Sequence, residues 1–263
     1  MYIQNALAMK KQIRITVIAL LVLTSVDGYS QRWKLARYDA DIYVSAVSFH
    51  GDIGLADRPL ANNFNGMRPS IGFKPGFKIT QDLSVSLDLG YVVYGGKDEE
   101  GTSHGRLYSF NSQAFQHVVR VEYNLIGNGR TFISGAIYNR KGMINNYNKL
   151  FVYVFAGGGG VLSKSKVKDL NNDGAEPLSN PGYNNNAQYT AVFPMGGGVR
   201  WAIDPRWSVG AEIGYQFTLS DYLDGYASQY SQYKDSYYLT SVKAIFSIRN
   251  DRNGKPIFKR LYR

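Results

Sequence analysis

Five ionisable residues, Asp88, Arg120, Glu122, Glu212 and Lys243, fall at positions where an extended chain turns its side chains to one common face. Two facing carboxyls could share general acid and general base work. Carboxylates set against Arg and Lys would instead neutralise one another, because a buried charge must be paired. The second chemistry fits better. A narrow eight-stranded barrel is just filled by its own side chains. The expectation is a lumen closed by ion pairs, with Asp88–Arg120 and Glu212–Lys243 as candidate pairs on adjacent strands.

The other motifs are weaker. The three histidines are His50, His104 and His117. His104 follows Ser103 directly, in a Gly-rich stretch with no clear orienting acid, so a catalytic set is not legible there. The Gly157–Gly160 run precedes Ser163-Lys164-Ser165. A phosphate loop needs Gly immediately before the Lys, and Ser163 stands in that place. The dinucleotide spacing fails at Leu162. Asp169, Asn171, Asp173 and Gly174 have the opening spacing of a calcium loop, but Asn180 occupies the position of the bidentate acid. Asn/Asp/Gly clusters are also ordinary turn chemistry. No enzyme, cofactor, metal or small-molecule substrate is expected.

These residues must be held by strands. The chain has 28 Gly, 21 Tyr and 13 Phe, which suit short turns and aromatic belts, and no Cys, which removes disulfides and thiolate chemistry. Residues 68–79 alternate. Pro69, Ile71, Phe73, Phe77 and Ile79 oppose Arg68, Ser70, Gly72, Lys74, Gly76 and Lys78. Residues 83–94 and 207–218 alternate likewise, with bulky apolar residues against Gly, Ser and charge. In residues 113–125, Val119, Val121, Tyr123 and Leu125 oppose Arg120 and Glu122. A bulky apolar face outside and a small or charged face inside is the pattern of a membrane barrel, and the runs are long enough for tilted strands to cross a bilayer. Val85, Leu87, Ile213 and Tyr215 are expected to face lipid. Further strands are expected over 38–49, 150–162, 189–202 and 237–248. The fold class is all-β: an eight-stranded antiparallel transmembrane β-barrel with a closed lumen.

Short connections, 80–82 and 204–206, mark the periplasmic side. Long polar ones, 50–66, 95–106, 163–187 and 219–236, mark the outside. The 126–149 connection is long yet periplasmic, and 131–138 could add a strand. Residues 1–30 read as a signal peptide. Lys10, Lys11 and Arg14 precede an apolar stretch, 15–23, and Gly28 and Ser30 suit a cut before Gln31. Met9 is a second candidate start. The barrel then occupies 31–248. A basic periplasmic tail, 249–263, carries Arg249, Arg252, Lys255, Phe258, Lys259, Arg260 and Arg263, residues suited to contact with a periplasmic partner. Much of the formal charge of +10 is gathered on that rim. Export and the lack of a stacking motif argue against nucleic acid; outer-membrane lipid is the expected surrounding.

The order of several segments resembles the outer-membrane barrel family that includes PorG of the type IX secretion (Por) machinery. The segments are Gly51-Asp52-Ile53-Gly54, 106–110, Glu122-Tyr123-Asn124, 153–157, Arg206-Trp207-Ser208 and 220–224. They extend over nearly the whole chain after Gln31, and the 126–149 connection departs from the family pattern. The resemblance implies a barrel that contacts periplasmic secretion-ring proteins, and it implies no catalytic residues. The other readings are a surface-exposed adhesin or ligand-binding barrel acting through its long outer loops, and a lipid-modifying outer-membrane enzyme.

Overall fold

The computed structural model describes residues 36–51, 53, 67–98, 107–126, 137–139, 142–144, 150–177, 182–184, 186–204, 206–227, 234–248, 250 and 256–257. The expected signal peptide lies outside the described residues. Among the described residues ten strands follow in order: β1 Tyr38–His50, β2 Arg68–Lys78, β3 Leu83–Lys97, β4 Tyr108–Ile126, β5 Ile137–Asn139, β6 Gly142–Ile144, β7 Leu150–Asp169, β8 Gln188–Ala202, β9 Trp207–Thr218 and β10 Ser236–Ile248. Eight of them close an antiparallel barrel in the order β1-β10-β9-β8-β7-β4-β3-β2. β5 and β6 pair only with each other. The 126–149 connection thus adds a separate hairpin and leaves the barrel at eight strands.

The alternation of the chain decides which way each face looks. Ile42, Val44, Ile71, Phe73, Leu87, Val119, Val121, Ile213 and Val242 are all exposed on the outside, Val242 to 67%. A belt of large apolar side chains around the whole wall is far beyond what a water-soluble surface carries. Among the described residues no helix is long and apolar enough to cross a membrane. The crossing is made by strands whose backbone groups are satisfied by the closed ladder. Aromatic rings edge the belt: Trp207 packs on Phe246 with centroids 4.8 Å apart near one end, and His117 stacks on Tyr189 at 5.7 Å near the other. This is the arrangement of an outer-membrane barrel.

Register and turns put the start of β1, the end of β10 and the short connections on one side. Lys78 N–H donates to the Arg37 carbonyl, Asn124 N–H to that of Asp82, and Ser247 N–H to that of Arg206. In the β8–β9 turn, the Asp204 carboxylate accepts the N–H groups of Arg206 (2.7 Å) and Trp207 (2.8 Å). These two donors hold its pKa below the ordinary value. A depressed folded pKa gives stability that is present at neutral pH and lost as pH falls through the folded value. Asp204→Ala should therefore slightly lower the urea midpoint at neutral pH and flatten its decline in acid. Asp204→Asn should stay near wild type at neutral pH, since it keeps an acceptor. Identical acid profiles for Asp204→Ala and wild type would show that this turn contributes nothing.

β4 and β7 are longer than the alternation alone indicates, 19 and 20 residues. A tilted strand needs only about 9–11 to cross the hydrocarbon layer. The apolar alternation ends near Leu162 and leaves 163–187 as an expected loop; the structure corrects this. The strand continues to Asp169, with reversed polarity. Val161 and Val167 point inward while Lys164 and Lys166 are exposed. Beyond the belt the barrel wall stands in a polar medium, so its apolar face turns inside.

Candidate functional site

The lumen holds two layers. In the first, Lys74 from β2, Arg120 from β4 and Lys243 from β10 meet Asp41, Asp88, Glu122 and Glu212. Arg120 lies 3.0 Å from Asp88, 2.7 Å from Glu212 and 3.6 Å from Glu122. Lys243 lies 3.0 Å from Glu212 and 3.5 Å from Asp41. Lys74 lies 2.5 Å from Glu122, 3.3 Å from Asp41 and 3.7 Å from Glu212. Nearer the short-turn end, Asp39 binds Lys78 at 3.1 Å and Arg200 at 3.8 Å. Among these described groups, five cations face five carboxylates, so the cluster as a whole is neutral.

Register explains the close pairs. Asp41 stands opposite Lys74 across β1–β2. Ser86 is opposite Arg120 and Ser241 is opposite Glu212, so Asp88–Arg120 and Glu212–Lys243 are diagonal neighbours. Phenols complete the cluster. Tyr43 Oη donates to Asp88 at 2.6 Å and Tyr153 Oη to Glu212 at 2.8 Å. The Arg120 guanidinium lies 3.6 Å from the centre of the Phe155 ring, where its flat face meets the π-cloud. The inward glycines make room for these rings: a Cβ at Gly72 or Gly90 would collide with Tyr43, and one at Gly198 with Tyr153.

The second layer, toward the long loops, is apolar. Val47, Val92, Tyr94, Phe110, Val118, Val161, Val167, Tyr237 and Leu239 form one buried cluster with Ile53 and Leu223. Tyr94 stacks between Phe49 (5.1 Å) and Tyr237 (5.7 Å). Leu223, from the β9–β10 connection, is fully buried. Its carbonyl accepts the hydroxyls of Ser112 (3.0 Å) and Ser165 (2.5 Å), and its N–H donates to Asp235 at 2.7 Å. Asp224 accepts the Ile53 N–H at 3.1 Å, tying a second loop to this cap. Sequence alone fills the lumen with ion pairs. The aromatic layer and its cap are additional, because the outer strand segments reverse their polarity.

The five predicted lumen charges thus share one cluster. Asp41, Lys74, Tyr43 and Tyr153 join it without a sequence signal that marks them, although Lys74 stands on the polar face of its strand. What local pattern lacks is the partner across the lumen. At the weak calcium-loop candidate, Asp169 Oδ1 accepts the Asn171 N–H at 3.0 Å, and Asp173 (φ 47°) and Gly174 (φ 74°) make the left-handed turn back to Ala175. Among the described residues no group of three His, Cys, Asp or Glu side chains could hold a metal ion. His117 faces outward and pairs with the Tyr189 hydroxyl at 3.1 Å. Ser103 and His104 lie outside the described residues. So do the tail residues Arg249, Arg252, Lys255, Phe258, Lys259, Arg260 and Arg263; between them, Asn250 bridges to Pro256.

No family model and no curated protein sequence matches this chain. Several solved barrels resemble it in shape. A major outer membrane protein from Thermus thermophilus has 13% identity and a TM-score of 0.43, covering 80% of this chain and 99% of its own. Ail, the attachment invasion locus protein of Yersinia pestis, solved with the heparin analogue sucrose octasulfate, has 10% identity and a TM-score of 0.40, covering 81% and 97%. The outer membrane protease OmpT of Escherichia coli has 10% identity and a TM-score of 0.34, covering 80% and 96%. Likenesses this distant carry no activity to this chain; the barrel stands on its own closed ladder.

Proposed function

We propose that this chain is a non-enzymatic outer-membrane barrel that anchors or organises a periplasmic protein-secretion assembly of the type IX kind, acting through its inner rim. The observation that carries the reading is the filled lumen. An ion-pair layer and a capped aromatic layer occupy the interior in series, which leaves the two rims as working surfaces. The rim with the short turns carries the start of β1 and the end of β10, and the 126–149 connection leaves β4 on that side. By sequence, that connection and the tail 249–263 bring basic, aromatic and aliphatic residues together, the side-chain mixture of a protein interface. The resemblance to the PorG-containing family points to the same side.

Truncation after Asn250 is expected to leave a heat-modifiable, folded barrel that recovers fewer periplasmic partners from membranes. The remaining association should weaken with salt. Deleting the protein should impair secretion while leaving lipid A unchanged. Equal recovery of the same partners by the truncated chain would overturn the inner-rim reading. It would favour a surface-binding barrel, in which the hydrogen bonds of Asp224 to Ile53 and Asp235 to Leu223 close the lumen beneath the long loops.

A further inference from the structure

The outer extension of β7 carries a stripe of lysines on its outward face. On β7, Lys164, Lys166 and Lys168 all face outward and are exposed. In register beside them on β4 stand Gln113, Asn111 and Ser109, and beyond Ser109 on β3 stands the exposed Lys97. Four cations are thus gathered with uncharged neighbours on the β4 side; on the other side Glu176, beside the Asp169–Ala175 bridge, accepts the Tyr183 hydroxyl at 3.0 Å. The ion pairs inside the barrel use none of these lysines. Successive lysines on one strand face are about 7 Å apart, close enough to repel each other.

Height along the strand identifies the counter-charge. The next outward residue below Lys164 is Leu162, 48% exposed, level with Phe115 at 48% and near Tyr189 at 64%. These belong to the apolar belt and its aromatic edge. With a strand tilt of about 40°, two residues climb about 5 Å. Lys164 therefore emerges where hydrocarbon gives way to headgroups, and Lys166 and Lys168 rise through the headgroup layer.

We propose that the outward lysine stripe of β7, with Lys97 beside it, docks the phosphate groups of a phosphorylated glycolipid in the outer leaflet. The apolar belt below receives the acyl chains, and the ammonium groups above pair with the phosphates. This surface is independent of the inner rim, so its test does not depend on any periplasmic partner.

The test uses the full mature chain folded in zwitterionic detergent, with purified lipid A and its dephosphorylated form as probes and native mass spectrometry as readout. Wild type should retain lipid A in clear preference to the dephosphorylated form. The K164Q/K166Q/K168Q variant should bind lipid A on the order of 100-fold more weakly, from about fivefold per lysine near an anionic surface. The corresponding triple arginine variant should bind like wild type, since guanidinium also pairs with phosphate. Should the glutamine variant fail to show a heat-modifiable folded band, wild type alone decides. Its lipid A binding should then fall toward that of the dephosphorylated lipid near 1 M salt, where the Debye length is about 3 Å. Equal binding of both lipids by wild type, or undiminished binding by the folded glutamine variant, would overturn the proposal. Preference for an acidic polypeptide over lipid A would overturn it as well.

Discussion

Arg120→Met is expected to destabilise the folded barrel by about 3–5 kcal/mol, the scale for removing one partner from a buried ion pair. The guanidinium is the meeting point of three carboxylates, at 3.0 Å from Asp88, 2.7 Å from Glu212 and 3.6 Å from Glu122. Its side chain is only 4% exposed. Without it, negative charges remain in a confined space that water cannot readily refill. Asp88→Asn in the same chain should recover part of the loss, because it restores the charge balance, and adding Glu212→Gln should give some of that gain back, because Lys243 and Lys74 then lose a shared carboxylate. Urea unfolding from detergent or vesicles would measure the cycle. Contacting residues in one network couple by about 0.5–3 kcal/mol. Strictly additive losses among Asp88, Arg120 and Glu212 would mean that the cluster does not act as a unit.

On the opposite side of the wall, Ile213→Arg should cost about 2–4 kcal/mol, the range for arginine near mid-membrane on a barrel's lipid face. Ile213 is 61% exposed, with Gly197 and Thr240 as its register neighbours. The preceding residue, Glu212, points the other way into the ion-pair cluster. One substitution thus separates two environments that alternate along a single strand. Leu87→Arg should act similarly, and Ser84→Thr should be nearly silent. The folded fraction in vesicles, read as the heat-modifiable band, and the urea midpoint would check this. A wild-type mature chain that stays soluble and monomeric without detergent, or an Ile213→Arg barrel as stable as wild type, would remove the membrane assignment.

Much of this architecture is local in origin and therefore legible in the chain. A strand sends successive side chains to opposite faces, so Val119 and Val121 separate from Arg120 and Glu122 before any pairing is known. The same rule puts Ile213 outside and Glu212 inside. Turns declare themselves by residue type, as Asp204 does at the β8–β9 turn through its two backbone hydrogen bonds. These features need nothing beyond a few consecutive residues. The diagonal pairs Asp88–Arg120 and Glu212–Lys243 need one further assumption, that consecutive strands are neighbours.

Closure and register were decided only in three dimensions. Arg120 on β4 reaches Glu212 on β9, and Lys74 on β2 reaches the same carboxylate. Those strands are not neighbours in the sheet, and no periodicity brings them together until the barrel closes. The outer half of β7 was hidden for another reason. Ser163-Lys164-Ser165-Lys166 alternates as regularly as the rest, but with apolar residues no longer on the outside. Its strand character depends on pairing with β4 beyond the belt. The β5–β6 hairpin likewise bonds to itself instead of widening the barrel. Alternation is a property of one strand and specifies two faces; which face meets lipid, water or a charge across the lumen depends on height in the wall and on the other strands.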